Sequence, residues 1–366
     1  MLETALDILK EIEKSGFKAY IVGGYPRNRY LDLPTMDIDI CTSAKPKDLK
    51  NIFTDIKLPV EQYGSVLLIR NKIHFEITTF RKDIKYKDGR HPVKIKYIDS
   101  LLEDLQRRDF TINTLCIDSN GDDLDLLNAK GDIDLKVIKT VGSSKVKLRE
   151  DALRILRAIR FATTLDFELE EDLKKYIRKY GSRLKKLSYN RKQEELNKIF
   201  SSPNVLKGLK LIKDLKLDKP LEISGLSSIK KTSSLLGIWA QLKYSDKYMF
   251  SNHELETIEA IKKLVNEDLL SNDNLYNYGL YISTIAGEIK GTDRKEIIQK
   301  YNDLAITNSK EIVLKPDEIC DILEVKPGPF LKPLLSDLEC QIVNNKLKNT
   351  KIDLKEYILN NKSTYI

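Results

Sequence analysis

Asp37 and Asp39, in the run Met36-Asp37-Ile38-Asp39-Ile40, put two carboxylates two residues apart within an otherwise apolar segment. Side chains of a strand alternate between its faces, so the acids share one face while Met36, Ile38 and Ile40 point into the fold. Anions held this close repel, and either one pKa rises or a hard divalent cation with oxygen ligands keeps both ionised. The spacing alone also fits a solvated strand face. Upstream, Ala19-Tyr20-Ile21-Val22 runs into Gly23-Gly24, followed by Pro26 and Arg27. Glycines after a strand let backbone N–H groups approach an anion, and an arginine adds a charge-assisted fork to phosphate; a plain tight turn uses Gly-Gly equally well. Joined to the acid pair, the turn predicts a site for a triphosphate and its magnesium ions.

Several elements must position these groups. Residues 1–140 alternate helix-like and strand-like segments: a helix to Lys14, a strand over 18–22, the acid strand over 36–41, and a helix from Pro46 toward Phe53. The runs Ser65–Arg70 and Lys72–Phe80 read as a hairpin through Asn71. Within the second run, Phe75-Glu76-Ile77 makes Glu76 either a third carboxylate beside Asp37 and Asp39 or a surface acid on a half-buried strand. This is an α+β head. The polar stretch from Arg81 to Pro92 reads as a mobile surface loop. From about residue 146 the spacing of Leu153, Leu156, Ile159 and Phe161 is helical, and the remainder reads as all-α. Boundaries fall near 140 and 205, giving parts 1–140, 141–205 and 206–366.

A chain of 366 residues, 41% apolar and 32% charged, has room for two or three domains with a proper core. No apolar run approaches membrane-spanning length, and the first helix is amphipathic (Leu2, Ala5, Leu6, Leu9, Ile12), so a cytoplasmic protein is expected. Cys41, Cys116, Cys320 and Cys340 are scattered, which argues against a zinc site or a disulfide framework. A net charge of +8 suits a polyanionic partner. No persuasive Ser/His/Asp or Cys/His arrangement is present, so chemistry without a protein nucleophile is favoured.

Two further blocks are more specific: Leu105-Gln106-Arg107-Arg108-Asp109-Phe110-Thr111-Ile112-Asn113, and Arg149-Glu150-Asp151-Ala152-Leu153-Arg154-Ile155-Leu156-Arg157-Ala158-Ile159-Arg160-Phe161. With the glycine turn and the Asp-x-Asp, in this order and spacing, they resemble the bacterial-type (class II) tRNA nucleotidyltransferase and poly(A) polymerase family. These are polymerase beta-like nucleotidyltransferases. The resemblance is strong over roughly residues 17–200.

It implies a head with a small mixed sheet over 1–140, a neck over 141–205 that recognises the nucleotide base, and an all-α body and tail over 206–366 that binds the tRNA acceptor and upper arm. The chemistry implied is two-metal phosphoryl transfer with Mg²⁺ on Asp37 and Asp39, and Glu76 if it joins them, adding CCA from CTP and ATP. Gly23, Gly24, Arg27, Arg108, Asp109 and Asn113 are carried over as nucleotide contacts, with Asp109 as the local partner of Arg108 or a ribose ligand. Asp151 and Arg154, at i and i+3 on one expected helix face, can read the base: a carboxylate accepts from the amino group of cytosine or adenine, and a guanidinium donates beside it. Arg157 and Arg160 continue the stripe toward base, triphosphate or RNA. Taken without the family, Glu150-Asp151 compensates a helix dipole and the arginines form a solvated face. Arg191 and Glu195, at i and i+4, predict a helix salt bridge.

The Arg90-His91-Pro92 triplet is similar to the family loop needed for the final A, which favours full CCA synthesis. Asn28 and Pro26 depart from the family's turn, where a carboxylate usually follows the arginine. The alternatives are a poly(A) polymerase or an enzyme adding only CC or A, and, in a different class, a noncatalytic tRNA-binding protein.

Overall fold

The computed structural model describes residues 1–35, 37–60, 64–84, 86–87, 91–92 and 95–365; Met36 and Arg90, invoked above, lie outside them. Ala19–Val22, the first strand, pairs antiparallel with the acid strand Ile38–Thr42, which pairs in parallel with Ile73–Thr79. Ser65–Arg70 and Ile56–Val60 extend one edge, Cys116–Ile117 and Asp123–Leu124 the other, completing a seven-stranded mixed sheet. The hairpin between Ser65–Arg70 and Ile73–Thr79 turns on Asn71 and Lys72, both with positive φ (53° and 62°), the geometry of a two-residue turn that matches strand twist.

One sheet face is apolar because alternate residues deliver Ile21, Ile38, Ile40, Phe75 and Ile77 to it. Helix Leu2–Lys14 covers that face with Ala5, Ile8, Leu9 and Ile12, and helix Pro46–Ile52 adds Leu49. Each such side chain contributes about 1.5–3 kcal/mol on burial. The other face carries Val22, Cys41, Phe80, Leu105 and Cys116 in a second cluster. Asp39, two residues before Cys41, lies on this second face. So the period of two that buries Ile38 and Ile40 also forces Asp39 out.

The head continues without a break in packing into helices. Ser144–Glu150, Leu153–Thr164, Glu171–Tyr180, Tyr189–Phe200 and Val205–Asp214 follow one another, with Val205–Asp214 lying on both Leu153–Thr164 and Tyr189–Phe200. Contact density divides the chain after Glu222, so the boundary expected near 205 moves: residues up to 222 pack with the first unit. The polar stretch after Phe80 also departs from the expected loop. Its described residues form short ladders, Arg81–Asp83 with Ile95–Tyr97 and Tyr86–Lys87 with His91–Pro92.

The second unit, 223–366, is helical apart from a two-residue ladder of Ile223–Ser224 with Lys243–Tyr244. Its distal helices share a core of Ile319, Leu334, Leu338, Ile342, Leu354 and Ile358. The hydroxyls of Tyr357 and Tyr365 both donate to Asp337, at 2.7 Å, and tie the last helices to Leu331–Val343. Among the described residues no helix is long and apolar enough to cross a membrane.

The helix crossing at Gly208 is tight: a Cβ there would stand 2.5 Å from Ile199 Cγ2 and 2.7 Å from Thr163 Oγ1. Gly208→Ala is therefore expected to destabilise the protein by roughly 1–3 kcal/mol. A lower urea midpoint with an unchanged slope is the expected observation; an unchanged midpoint would contradict this packing.

Candidate active site

Parallel pairing sets Asp39 directly beside Glu76 on the second sheet face, because register partners on adjacent parallel strands point the same way. Asp37 lies just before the strand, exposed, and lines the same cleft as Asp39. Although its carboxylate opens to that cleft, Asp39 is pushed up from 3.8 to about 6, first by desolvation, then by Glu76, with Asp37 adding to the effect and Arg108 opposing it. Gly23 sits against this acid. With φ at 87°, a conformation open to glycine, it would place a Cβ only 3.2 Å from Asp39 Oδ2.

The cleft, about 360 Å³, is floored by Gly23, Gly24, Asp37 and Asp39 and walled by Arg27, Arg108, Asp109, Asn113, Arg157 and Arg160. Phe161 joins the wall. Its ring has the guanidinium carbons of Arg27, Arg157 and Arg160 at 5.2, 5.5 and 4.3 Å, cation–π contacts that hold three like charges around one aromatic face. Arg27, on helix Gly24–Tyr30, is buried; desolvation and then Arg160 lower its pKa to about 10. Its guanidinium donates to Asn113 Oδ1 at 2.5 Å and twice to Asn28 Oδ1, at 2.7 and 3.1 Å. Asn28 thus anchors the neighbouring arginine with a neutral oxygen where the family's turn usually has a carboxylate. Pro26 fits because it occupies the first helical turn, where no intrahelical N–H bond is due.

Asp109 and Arg108 are not partners. Arg108 is extended (φ −63°, ψ 168°), which turns consecutive side chains to opposite sides. Arg108 Nη2 donates to Asp104 Oδ2 at 3.2 Å, whereas Asp109 Oδ2 accepts from Arg157 Nε at 2.6 Å and forms an ion pair with Arg157 Nη2 at the same distance. Asn113 Nδ2 and the Phe110 N–H also donate to Asp109, at 3.0 and 2.8 Å. Burial opposes ionisation of Asp109, but Arg157 and these bonds hold it well below the ordinary carboxylate range.

The base-reading pair departs further from expectation. Helix Ser144–Glu150 ends at Asp151 and the next begins at Leu153, so Asp151 and Arg154 do not share a continuous helix face. The break is local chemistry: Asp151 Oδ1 accepts from the Leu153 N–H at 2.9 Å, an Asx-type turn. Arg154 is buried and donates to Glu150 Oε2 at 2.7 Å, to the Lys147 carbonyl at 3.0 Å and to the Arg107 carbonyl at 3.4 Å. Neither residue lines the cleft of Asp37 and Asp39. The predicted Arg191–Glu195 bridge is also replaced: Glu195 pairs with Arg160 at 3.2 Å, and Arg191 lies 4.0 Å from Asp151.

Sequence reasoning missed Asp104, fully buried, which accepts from Arg107 Nε at 2.8 Å and from the Arg81 N–H at 3.1 Å as well as from Arg108. The signal was there, an acid three and four residues before two arginines on a helix. For Phe161 the sequence showed only helical spacing, not a place in the site.

Three family profiles cover most of the chain: "Poly A polymerase head domain" over 19–139, "Probable RNA and SrmB- binding site of polymerase A" over 166–223, and the second-domain profile of tRNA nucleotidyltransferases over 229–358. The CCA-adding enzyme of Streptococcus uberis is 32% identical, with 98% of this chain and 96% of the relative aligned. That of Lactococcus lactis subsp. cremoris is 34% identical over 95% and 94%. The chain belongs to the CCA-adding enzyme family. Its fold matches the Bacillus stearothermophilus CCA-adding enzyme in complex with CTP, with a TM-score of 0.86 at 24% identity over 98% and 97% of the two chains. The Thermotoga maritima CCA-adding enzyme complexed with tRNA gives 0.73 at 18% over 98% and 94%.

CCA-adding nucleotidyltransferases are metal-dependent. The donors here fit a hard cation, because Asp39 is crowded by Glu76 and Asp37 and is relieved by added positive charge. Among the described residues no three His, Cys, Asp or Glu side chains form a ready-made cage. No such cage is required where one or two carboxylates and substrate phosphates share the coordination.

Asp109→Asn leaves Arg157 without its counter-charge and is expected to cost roughly 1.5–3 kcal/mol at neutral pH. Because the folded-state pKa is depressed, this stability is fully present above 3.8 and is lost as pH falls through the lower folded value. Denaturation at neutral and strongly acid pH should show the gap between parent and variant narrowing; a gap independent of pH would contradict the ionised pair.

Proposed function

We infer that this protein is a template-independent tRNA nucleotidyltransferase, working in the cytoplasm, that builds or repairs the 3′-terminal CCA of tRNA from CTP and ATP. The observation carrying this reading is the acid face of Asp39 and Glu76 opening beside a guanidinium-walled cleft, in a chain of the CCA-adding family. The terminal 3′-hydroxyl oxygen of the RNA bonds to the α-phosphorus, the bond from that phosphorus to the bridging oxygen breaks, and pyrophosphate leaves with the electron pair while the hydroxyl proton passes to water. Mg²⁺ on Asp37 and Asp39, with Glu76 as a third donor, would supply charge stabilisation to this in-line displacement.

The chain's own residues bind and orient. Arg27, Arg157 and Arg160 around Phe161 present fixed positive charge to the triphosphate, already oriented by Asn28, Asn113, Asp109 and Glu195. Gly23 and Gly24 give backbone access beside the acids, and Arg108 reaches the same cleft. Asp151 and Arg154 are assigned to base selection; reading a base requires Arg154 to exchange part of its bonding to Glu150 and the two carbonyls. The division of labour is a catalytic head over 1–140, a base-reading neck that starts at 141 and whose helices pack on to residue 222, and a body and tail that hold the acceptor and upper arm of tRNA. Exposed Lys332, Lys346 and Lys348 supply phosphate contacts there.

Asp37→Ala and Asp39→Ala should abolish incorporation while leaving tRNA affinity within several-fold of the parent, because RNA is held by distributed basic contacts. Single-turnover addition and a binding titration at fixed salt check this; turnover near the parent rate would remove both residues from the chemistry. Incorporation of each of the four nucleotides on tRNA ending before, within and after CCA separates full CCA synthesis from poly(A) or partial addition. In that assay Arg154→Ala should relax discrimination against UTP, worth about 1–3 kcal/mol per lost bidentate contact, and Asp151→Asn should hurt CTP and ATP use more than UTP use. Unchanged selectivity in both variants would place base reading elsewhere.

A further inference from the structure

Asp39 stands between two clefts. Besides the larger one over Phe161 it borders a second, of about 210 Å³, whose polar lining is Asp39, Glu76, Ser65, Thr78, Arg81, Arg107 and Arg108. Apart from Asp39, Glu76 and Arg108, no role in the reaction assigned above falls on the residues of this second space.

Its cationic wall is built rather than incidental. Asp104 has no exposed surface, and burying a carboxylate is costly unless it is fully paired. Here it accepts from Arg107 Nε at 2.8 Å and Arg108 Nη2 at 3.2 Å, so one hidden anion fixes two guanidiniums that both line the cleft. Arg107 commits its Nε to this bond, and no described bond takes the N–H groups of its terminal nitrogens. Arg108 Nε is buried with no hydrogen-bond partner among the described residues. Across the cleft, Ser65 Oγ and Thr78 Oγ1 are 3.0 Å apart and share one hydrogen bond, which leaves one hydroxyl hydrogen of the two for a ligand.

Nucleotidyl transfer joins two anionic reactants across one acidic centre, so it needs an anion site on each side of Asp39. The larger cleft, with three guanidiniums around an aromatic ring, matches a triphosphate. The smaller one offers room for a single phosphate and its sugar, with a fork for the first and hydroxyls for the second. Given the nucleotidyltransferase reading, on which this rests, we propose that the second cleft seats the 3′-terminal nucleotide of the acceptor RNA, with Arg107 on its phosphodiester and the Ser65–Thr78 hydroxyls on its ribose. Asp104 is a positioning residue for both guanidiniums. The Arg107 carbonyl also accepts from Arg154, which links the acceptor seat to the residue assigned to base choice.

The test is addition of CMP to tRNA lacking CCA by the full chain, with tRNA and CTP varied separately, for Arg107→Ala, Arg107→Lys and Ser65→Ala/Thr78→Ala. Arg107→Ala is expected to raise KM for tRNA about tenfold, as loss of a charged hydrogen bond does, and to leave KM for CTP within about twofold. The slope of log(kcat/KM) for tRNA against log salt should fall by about one. Arg107→Lys should restore part of the loss, as a point charge without the fork, and the double hydroxyl variant should raise KM for tRNA alone. The dinucleotide CpC should inhibit competitively against tRNA but not against CTP, and Arg107→Ala should weaken that inhibition. Thermal melting separates these effects from loss of fold. A rise in KM for CTP with tRNA unaffected would assign the cleft to the incoming nucleotide or to pyrophosphate, and no change in either would reduce Arg107 to a structural partner of Asp104; both overturn the proposal. A parent protein that adds no nucleotide to any tRNA would instead defeat the functional reading itself.

Discussion

Two carboxylates on adjacent parallel strands cannot turn away from each other, and the rest of the head is arranged around that fact. Ile38 and Ile40 must enter the core, so Asp39 must leave it, and the register with Phe75 and Ile77 puts Glu76 at its side. Desolvation first, and then repulsion from Glu76, lift Asp39 to about 6, which means that the fold holds an anion cluster in a state that bound positive charge improves. A glycine with positive φ is required alongside, since any side chain at position 23 would press on Asp39.

The guanidiniums around this acid centre are positioned from behind. Asp104 takes Arg107 and Arg108, Asp109 takes Arg157, and Glu195 takes Arg160, in each case a buried or nearly buried acid that fixes a cation lining a cleft. Arg27 is the exception, held by the neutral oxygens of Asn28 and Asn113, and its pKa is lowered by desolvation and then by the neighbouring Arg160. Charge fixed before the ligand arrives costs no reorganisation when the reaction occurs, which is how such a site stabilises a polyanionic transition state. A protein that merely bound tRNA would have no need to hold acids and arginines against each other in this way.

Much of this was legible from local pattern. The acid strand, the glycine turn, the first helix and the Asn71–Lys72 hairpin follow from alternation, helical spacing and turn chemistry, each set by residues a few positions apart. What was not legible depends on pairing across the fold. Asp109 binds Arg157, 48 positions away, rather than the adjacent Arg108, and Glu195 binds Arg160 rather than Arg191 one turn before it. The helix expected through Asp151 is interrupted because a short acid there prefers the backbone N–H two residues on. The boundary expected near 205 moved to 222 because helix Val205–Asp214 fits against its predecessors through the bare face of Gly208.

The most direct test is the titration of the Asp39 carboxyl by NMR in the metal-free protein and again with Mg²⁺ and CTP. Desolvation together with the charge crowding described here predicts a midpoint near 6 without the ion and a marked fall once cation and nucleotide are bound. A midpoint at the ordinary 3.8, unmoved by either ligand, would contradict the claim that the Asp39–Glu76 face is the cation site on which the chemistry depends.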